Sequence, residues 1–271
     1  MSSAKDFVIE NGVLTKYDGG DAEVIIPDGV TKIGYSAFSG CTSLTNVTIS
    51  DGVTTIDSCT FWGCTSLTNV SIPESVTSIG ENAFRECTNL TSITIPDSVT
   101  KIGNKALYGC TKLADNEFII IKNCLYQYLG NDKNVIIPNN ITEIDSRAFS
   151  GCTSLTSITI PDSVTVIGGY AFSGCTSLTS ITIPDSVTEI GYGAFSGCTS
   201  LTSITIPDSV TKIGYWTFSD CTSLTNIIIP DSVTEIDSSA FYGCTSLTVS
   251  GSAGSYAETY AKENNIQFVA E

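Results

Sequence analysis

CTSLTSITIPDSVTVIGGYAFSG (152–174) runs without a gap into CTSLTSITIPDSVTEIGYGAFSG (175–197) and CTSLTSITIPDSVTKIGYWTFSD (198–220). A shift of 23 residues superimposes these three segments and most of the remaining chain, with further copies starting at Cys41, Cys64, Cys87, Cys221 and Cys244. A fixed period of this length is the mark of a solenoid. One copy cannot bury its own apolar groups, but stacked copies can.

Within a copy, Leu155, Ile158 and Ile160 alternate with Ser157 and Thr159, the period of a strand with one buried face. A proline then ends the strand. All eight prolines of the chain (Pro27, Pro73, Pro96, Pro138, Pro161, Pro184, Pro207, Pro230) hold this one position, where a missing N–H harms no ladder. Val164 and Ile167 predict a second short extended segment. Ala171 and Phe172, ahead of Gly174, predict a helical turn packed inward. Like would then stack on like at the ~4.8 Å spacing of neighbouring strands.

The array has two blocks. FVIENGVLTKYDGGDAEVIIPDGVTKIG (7–34) aligns without gaps to FIIIKNCLYQYLGNDKNVIIPNNITEID (118–145), and each precedes a fresh run of repeats. Both read as β-hairpins, turning near Gly19-Gly20 and Gly130-Asn131. The expected organisation is an N-terminal hairpin cap (1–23), a first repeat block (24–116), an interrupting hairpin (117–134), a second repeat block (135–250) and a C-terminal cap (251–271). The last contains a helix former, Tyr256 to Glu263, and an apolar stretch, Ile266 to Val269.

Composition narrows function by exclusion. The net charge is −16 and no basic stripe exists to neutralise phosphates, which argues against nucleic acid as a partner. The chain has no histidine, so triads and zinc sites that depend on imidazole are absent, and no enzymatic role is expected. No apolar run approaches the ~18 residues of a membrane span, so no membrane insertion is expected. The start MSSAKDFVIENG lacks the basic and apolar regions of a secretory signal, and the chain reads as a segment of something larger.

The repeat resembles the BspA-like class of leucine-rich repeats, also called the Treponema pallidum type, with its Leu-x-x-Ile-x-Ile-Pro-x-x-Val-x-x-Ile-x-x-x-Ala-Phe-x-x-Cys pattern. The resemblance spans about 24–113 and 135–250, and GSYAETYAKENNIQF looks like the closing unit of such arrays. It implies a right-handed leucine-rich-repeat solenoid of parallel strands, capped at both ends, on secreted or cell-surface proteins that bind host, matrix or cell-surface proteins. It carries no enzymatic residues. Departures are few: Ser50 stands for the Pro, Thr60 and Thr217 for the Ala, and Leu107 for the Phe.

Several columns carry polar or reactive groups. Nine of eleven cysteines share one repeat position, and their parallel side chains favour buried free thiols over disulfides or a metal ladder. Cys59 and Cys124 lie off that column and are expected nearer the surface. A carboxylate follows the proline position almost everywhere (Asp28, Asp51, Glu74, Asp97, Asp162, Asp185, Asp208, Asp231). A turn cap accepting backbone N–H bonds is the favoured reading, and a calcium row the alternative. Threonine ladders point first to sheet stabilisation, with ice binding as the alternative. No cofactor or metal is expected.

The three near-identical copies differ at only five positions, four of them around the expected helical turn. Exposed tyrosine and tryptophan are favoured interface anchors, so Tyr170, Tyr192, Tyr215 and Trp216, extended by Tyr35, Trp62, Tyr108 and Tyr242, form a candidate protein-binding set. The strand face, with Asn46, Asn69, Ser92, Ser157, Ser180, Ser203 and Asn226, is the alternative. The expected function is adhesion to an extracellular protein partner over an extended face, with a structural spacer as the second reading.

Overall fold

The computed structural model describes residues 6–113 and 117–271, which divide into two compact units, Met1–Ile119 and Ile120–Glu271. The first contains β1 (Phe7–Glu10), β2 (Val13–Tyr17), β3 (Glu23–Ile25), β4 (Lys32–Ile33), β5 (Asn46–Thr48), β6 (Thr55–Ile56), β7 (Asn69–Ser71), β8 (Ser78–Ile79), β9 (Ser92–Thr94) and β10 (Lys101–Ile102). Odd-numbered strands from β3 to β9 form one parallel sheet, and β2 with the even-numbered strands forms another. Asn46 pairs with Asn69 and Thr55 with Ser78, a step of 23 residues per coil in both sheets.

After β11 (Phe118–Ile121), which crosses the boundary at Ile119 and Ile120, the second unit repeats the plan with β12 (Cys124–Tyr128), β13 (Asn134–Ile136), β14 (Glu143–Ile144), β15 (Ser157–Thr159), β16 (Val166–Ile167), β17 (Glu189–Ile190), β18 (Ser203–Thr205), β19 (Lys212–Ile213), β20 (Asn226–Ile228), β21 (Glu235–Ile236) and β22 (Thr248–Gly251). It closes with α1 (Tyr256–Glu263) and β23 (Gln267–Ala270). Strand β23 pairs with β22 as a last rung. Each unit is thus a solenoid of short parallel strands.

The segment expected as a helical turn is a chain of tight turns instead. Ala171 N–H bonds Gly168 O, Ser173 bonds Tyr170 and Cys175 bonds Phe172, all at 3.1–3.2 Å. The alternate N–H groups of the same segment reach the next coil, Phe172 to Ala194 O and Gly174 to Ser196 O, each at 2.8 Å. A helix would turn those groups inward on itself. Spending them between coils continues the ladder around the turn.

The hairpins turn elsewhere than expected. Strands β1 and β2 are antiparallel and meet at Asn11-Gly12, where φ is 50° and 78°. Both central residues of a type I′ turn need positive φ, and Asn-Gly is its preferred pair. Lys122-Asn123, with φ of 49° and 62°, joins β11 to β12 in the same way. Gly19-Gly20 and Gly130-Asn131 lie instead in the links from β2 to β3 and β12 to β13.

Aromatic stacking runs up the interior. Phe7, Tyr17, Phe38, Phe61 and Phe84 follow one another at 5.1–5.2 Å in the first unit. In the second, Tyr128, Phe149, Phe172, Phe195, Phe218 and Phe241 stack at 5.2–5.5 Å. Tyr260 of α1 then meets Phe241 edge-on at 5.9 Å. The hairpin strand at the start and the helix at the end thereby cover ring faces that the repeat leaves open.

The polar ladders are internal rungs. Cys64, Cys87, Cys110, Cys175, Cys198 and Cys221 are buried, and each thiol donates to the carbonyl of the phenylalanine 26 residues earlier at 3.1–3.2 Å. All eleven cysteines are free. Contrary to expectation, Cys59 is buried, whereas Cys124 is half-buried like Cys41, Cys152 and Cys244. Thr68, Thr91, Thr179 and Thr202 each donate a hydroxyl to the equivalent carbonyl one coil back at 3.0–3.4 Å. The carboxylates after the prolines are exposed, and none among the described residues accepts a backbone N–H. The serine beside them ties the coils together, as Ser186 Oγ does to Val164 O at 2.7 Å.

Candidate functional site

Aromatic side chains leave the coil at three places, all in the turn segment that follows a two-residue strand. Tyr35, Tyr192 and Tyr215 stand two residues past the isoleucine that ends a two-residue strand, Tyr170 and Trp216 three residues past it, and Trp62, Tyr108 and Tyr242 six residues past it. Tyr35, Trp62, Tyr192, Tyr215, Trp216 and Tyr242 are between 41% and 69% exposed. Tyr108 and Tyr170 are half-buried.

Local backbone geometry explains this display. The third residue past the isoleucine is left-handed in Ser36, Cys59, Asn82, Lys105, Arg147, Tyr170, Gly193 and Trp216, with φ between 53° and 67°. Only one of these is glycine. A non-glycine residue in this conformation costs roughly 1–2 kcal/mol, and bulky residues are the least tolerated. The chain nevertheless places Tyr170 and Trp216 there.

Two arginines support the rings, and sequence reading missed both. Arg85 lies between Trp62 and Tyr108, its guanidinium carbon 5.4 Å and 5.2 Å from the two ring centres. Arg147 lies 4.8 Å over Tyr170. A cation over an aromatic face is worth ~0.5–1 kcal/mol at exposed sites. Tyr170 in turn meets Tyr192 edge-on at 5.0 Å. Glycine makes that contact possible, because a Cβ at Gly193 would strike the Tyr170 ring and one at Gly169 would lie 3.0 Å from Tyr192. The exchange of Gly169-Tyr170 for Tyr192-Gly193 between successive copies is the sequence signal of this interlock.

The strand face offers a different surface. Asn46, Asn69, Ser92, Ser180 and Ser203 are exposed, while Ser157 and Asn226 are half-buried. Ser157 Oγ bonds Asn134 Oδ1 at 2.6 Å and Ser250 Oγ bonds Asn226 Oδ1 at 3.2 Å, so part of this row is spent between coils. Ile25 and Ile136, at the first coil of each block, and Val269 in the last rung are exposed apolar groups on it. Among the described residues no helix is long and apolar enough to cross a membrane.

The sequence matches the model of the BspA type leucine rich repeat region over residues 20–123 and 119–248. A leucine rich cell surface protein of Faecalibacterium prausnitzii is similar at 30% identity and a TM-score of 0.57, over 96% of this chain and 94% of that one. A leucine-rich repeat protein of Eubacterium ventriosum is similar at 24% identity and a TM-score of 0.54, over 88% and 77% of the two chains. The pneumococcal vaccine antigen PcpA is similar at 18% identity and a TM-score of 0.51, over 92% and 79%. The last two likenesses are of fold. No curated protein matches the sequence.

Proposed function

This chain belongs to the BspA-type leucine-rich repeat family, and from that premise we propose that it is a non-catalytic adhesion module of a cell-surface protein, binding a protein partner through its exposed aromatic side chains. One observation carries the reading: Trp216 is held at φ 53° and half exposed, at the position where the preceding coil has Gly193. A spacer gains nothing from that arrangement. An interface does, since tryptophan and tyrosine supply large rigid contact area. The cell-surface description of the Faecalibacterium relative supports the location.

The test is a panel of extracellular-matrix and host proteins presented to the whole chain and to its Tyr35→Ala, Trp216→Ala, Tyr242→Ala triple variant. At least one protein is expected to bind, with a loss of tenfold or more in the variant, about 1.4 kcal/mol. Unchanged binding by the variant moves the site to the strand face. No binding to any surface protein favours the spacer.

A further inference from the structure

We propose that the junction between coils 175–197 and 198–220 is a binding site for a neutral pyranose sugar, in a cleft walled by Tyr192 and Tyr215. This goes beyond the protein-binding reading and does not depend on it.

The junction lacks rungs that other coils have. Thr54, Thr77, Thr188 and Thr234 N–H each bond the threonine carbonyl one coil back, and Gly80, Gly168, Gly191 and Asp237 N–H each bond an isoleucine carbonyl, all at 2.8–3.0 Å. Thr211 and Gly214 make neither bond, so the carbonyls of Thr188 and Ile190 receive none. Strand β17 pairs with β16 and β19 with β21, but β17 and β19 do not pair. A Cβ at Gly168 would lie 2.6 Å from the neighbouring backbone, whereas one at Gly214 would meet nothing within 4 Å.

The turn side of the same junction stays shut. Gly193 N–H bonds Tyr215 O at 2.9 Å, Phe195 bonds Thr217 O at 2.9 Å, and Phe195 stacks on Phe218 at 5.4 Å and 3°. The two coils part as a wedge hinged on the phenylalanine stack. Only here do tyrosines stand at the same position on successive coils; Tyr192 lies against Gly169 on its other side, and Tyr215 is followed by Ser238.

The opening is a cleft of about 450 Å³ lined by Thr188, Glu189, Ile190, Tyr192, Thr211 and Tyr215 among others. That volume falls in the ~300–1,000 Å³ range of small-molecule sites. A pyranose presents apolar C–H faces and hydroxyls that donate and accept at once. The tyrosine rings suit the first, and the unpaired N–H groups of Thr211 and Gly214 with the free carbonyls of Thr188 and Ile190 suit the second. Lys212 is turned to Glu235 at 2.7 Å, which leaves Glu189 as a further acceptor at the rim. Glu189 and the net charge of −16 disfavour sialylated or sulfated sugars. An apolar peptide side chain would cover the rings yet leave the backbone groups unsatisfied.

Amide exchange on the whole chain tests this, with galactose, mannose and N-acetylglucosamine oligosaccharides as probes. Free protein is expected to exchange Thr211 and Gly214 at least about tenfold faster than Thr188 and Gly191, and a binding sugar to slow them. Tyr215→Ser installs the residue found at Ser58 and Ser238, and is expected to protect both amides without sugar and abolish the sugar response. If that variant fails to fold, Tyr192→Ala is expected to lose the sugar response while both amides stay fast. Equal exchange at Thr211 and Thr188 in free protein overturns the proposal, as does no protection by any sugar at about 10 mM. Equal protection by an unglycosylated peptide gives the cleft to peptides. Capture of an unglycosylated protein with no sugar response ends this proposal and leaves the protein-binding reading standing.

Discussion

Ser50 takes the place that proline holds in neighbouring coils, and its hydroxyl is buried without a partner. Val53 N–H still closes the turn onto Ser50 O at 3.1 Å, as Val76 does onto Pro73 O at 3.1 Å, so the backbone there already suits proline. Ser50→Pro should stabilise the chain by about 1 kcal/mol, from lower unfolded-state entropy and removal of the unpaired hydroxyl, measured by urea unfolding. Trp216 provides the opposite case. Replaced by glycine it should be more stable than replaced by alanine, by about 1 kcal/mol, because only glycine adopts positive φ freely. At an ordinary position the order reverses. Asp57 and Asp145 share a repeat position but not a charge environment. Burial would raise Asp57, but the Lys32 ammonium at 2.6 Å and the Ser58 N–H hold its carboxyl below the usual range. Burial pushes Asp145 up to about 6 against the Ser146 N–H, and Glu143 adds to the rise. A raised carboxyl favours the fold at low pH and loses that contribution as pH climbs through 6. Asp145→Asn should therefore raise stability at pH 7 by about 1 kcal/mol and give no gain at about pH 3.5.

At the scale of the element, the ladders follow from placing identical side chains 23 residues apart. Burial pushes the thiols of Cys64, Cys175 and Cys221 up to about 12, and since only the thiolate reacts, these sites should resist thiol reagents until the chain unfolds. The half-buried Cys41, Cys152 and Cys244 should label first, as mass spectrometry of partly labelled protein would show, whereas burial beside Glu143 and Asp145 holds the Cys124 thiol up and should keep it among the slow sites. Cys198→Ala removes a buried thiol and its bond to Phe172 O, and should cost about 1–2 kcal/mol. Strands, proline turns and the stacked phenylalanines were legible because each reports a period. The hairpin turns are less legible, because Gly19-Gly20 resembles a turn pair as much as Asn11-Gly12 does, and only the latter takes the paired positive φ of a type I′ turn. The carboxylates after the prolines lie exposed and cap nothing among the described residues, while the neighbouring serines donate to carbonyls of the preceding coil.

Across each unit, the sequence pattern specifies the coil but not its irregularities. Coils 152–174, 175–197 and 198–220 are nearly the same string, yet between the last two the rungs from Thr211 and Gly214 N–H to the carbonyls of Thr188 and Ile190 are missing. That difference coincides with Tyr192 and Tyr215 standing at one position on successive coils, a property of pairs of coils and not of any one repeat. The aromatic set was readable from five variable positions, whereas the arginines beneath Trp62, Tyr108 and Tyr170 were not, because cation and ring come from different coils. Hydroxyl-radical footprinting of the whole chain, free and bound to its protein partner, distinguishes the two faces in one measurement. Binding through the displayed aromatics predicts that Tyr215, Trp216 and Tyr242 lose most of their oxidation in the complex while Ile25 and Ile136 on the strand face keep theirs. Unchanged oxidation of the aromatics, with Ile25 and Ile136 protected, would contradict it.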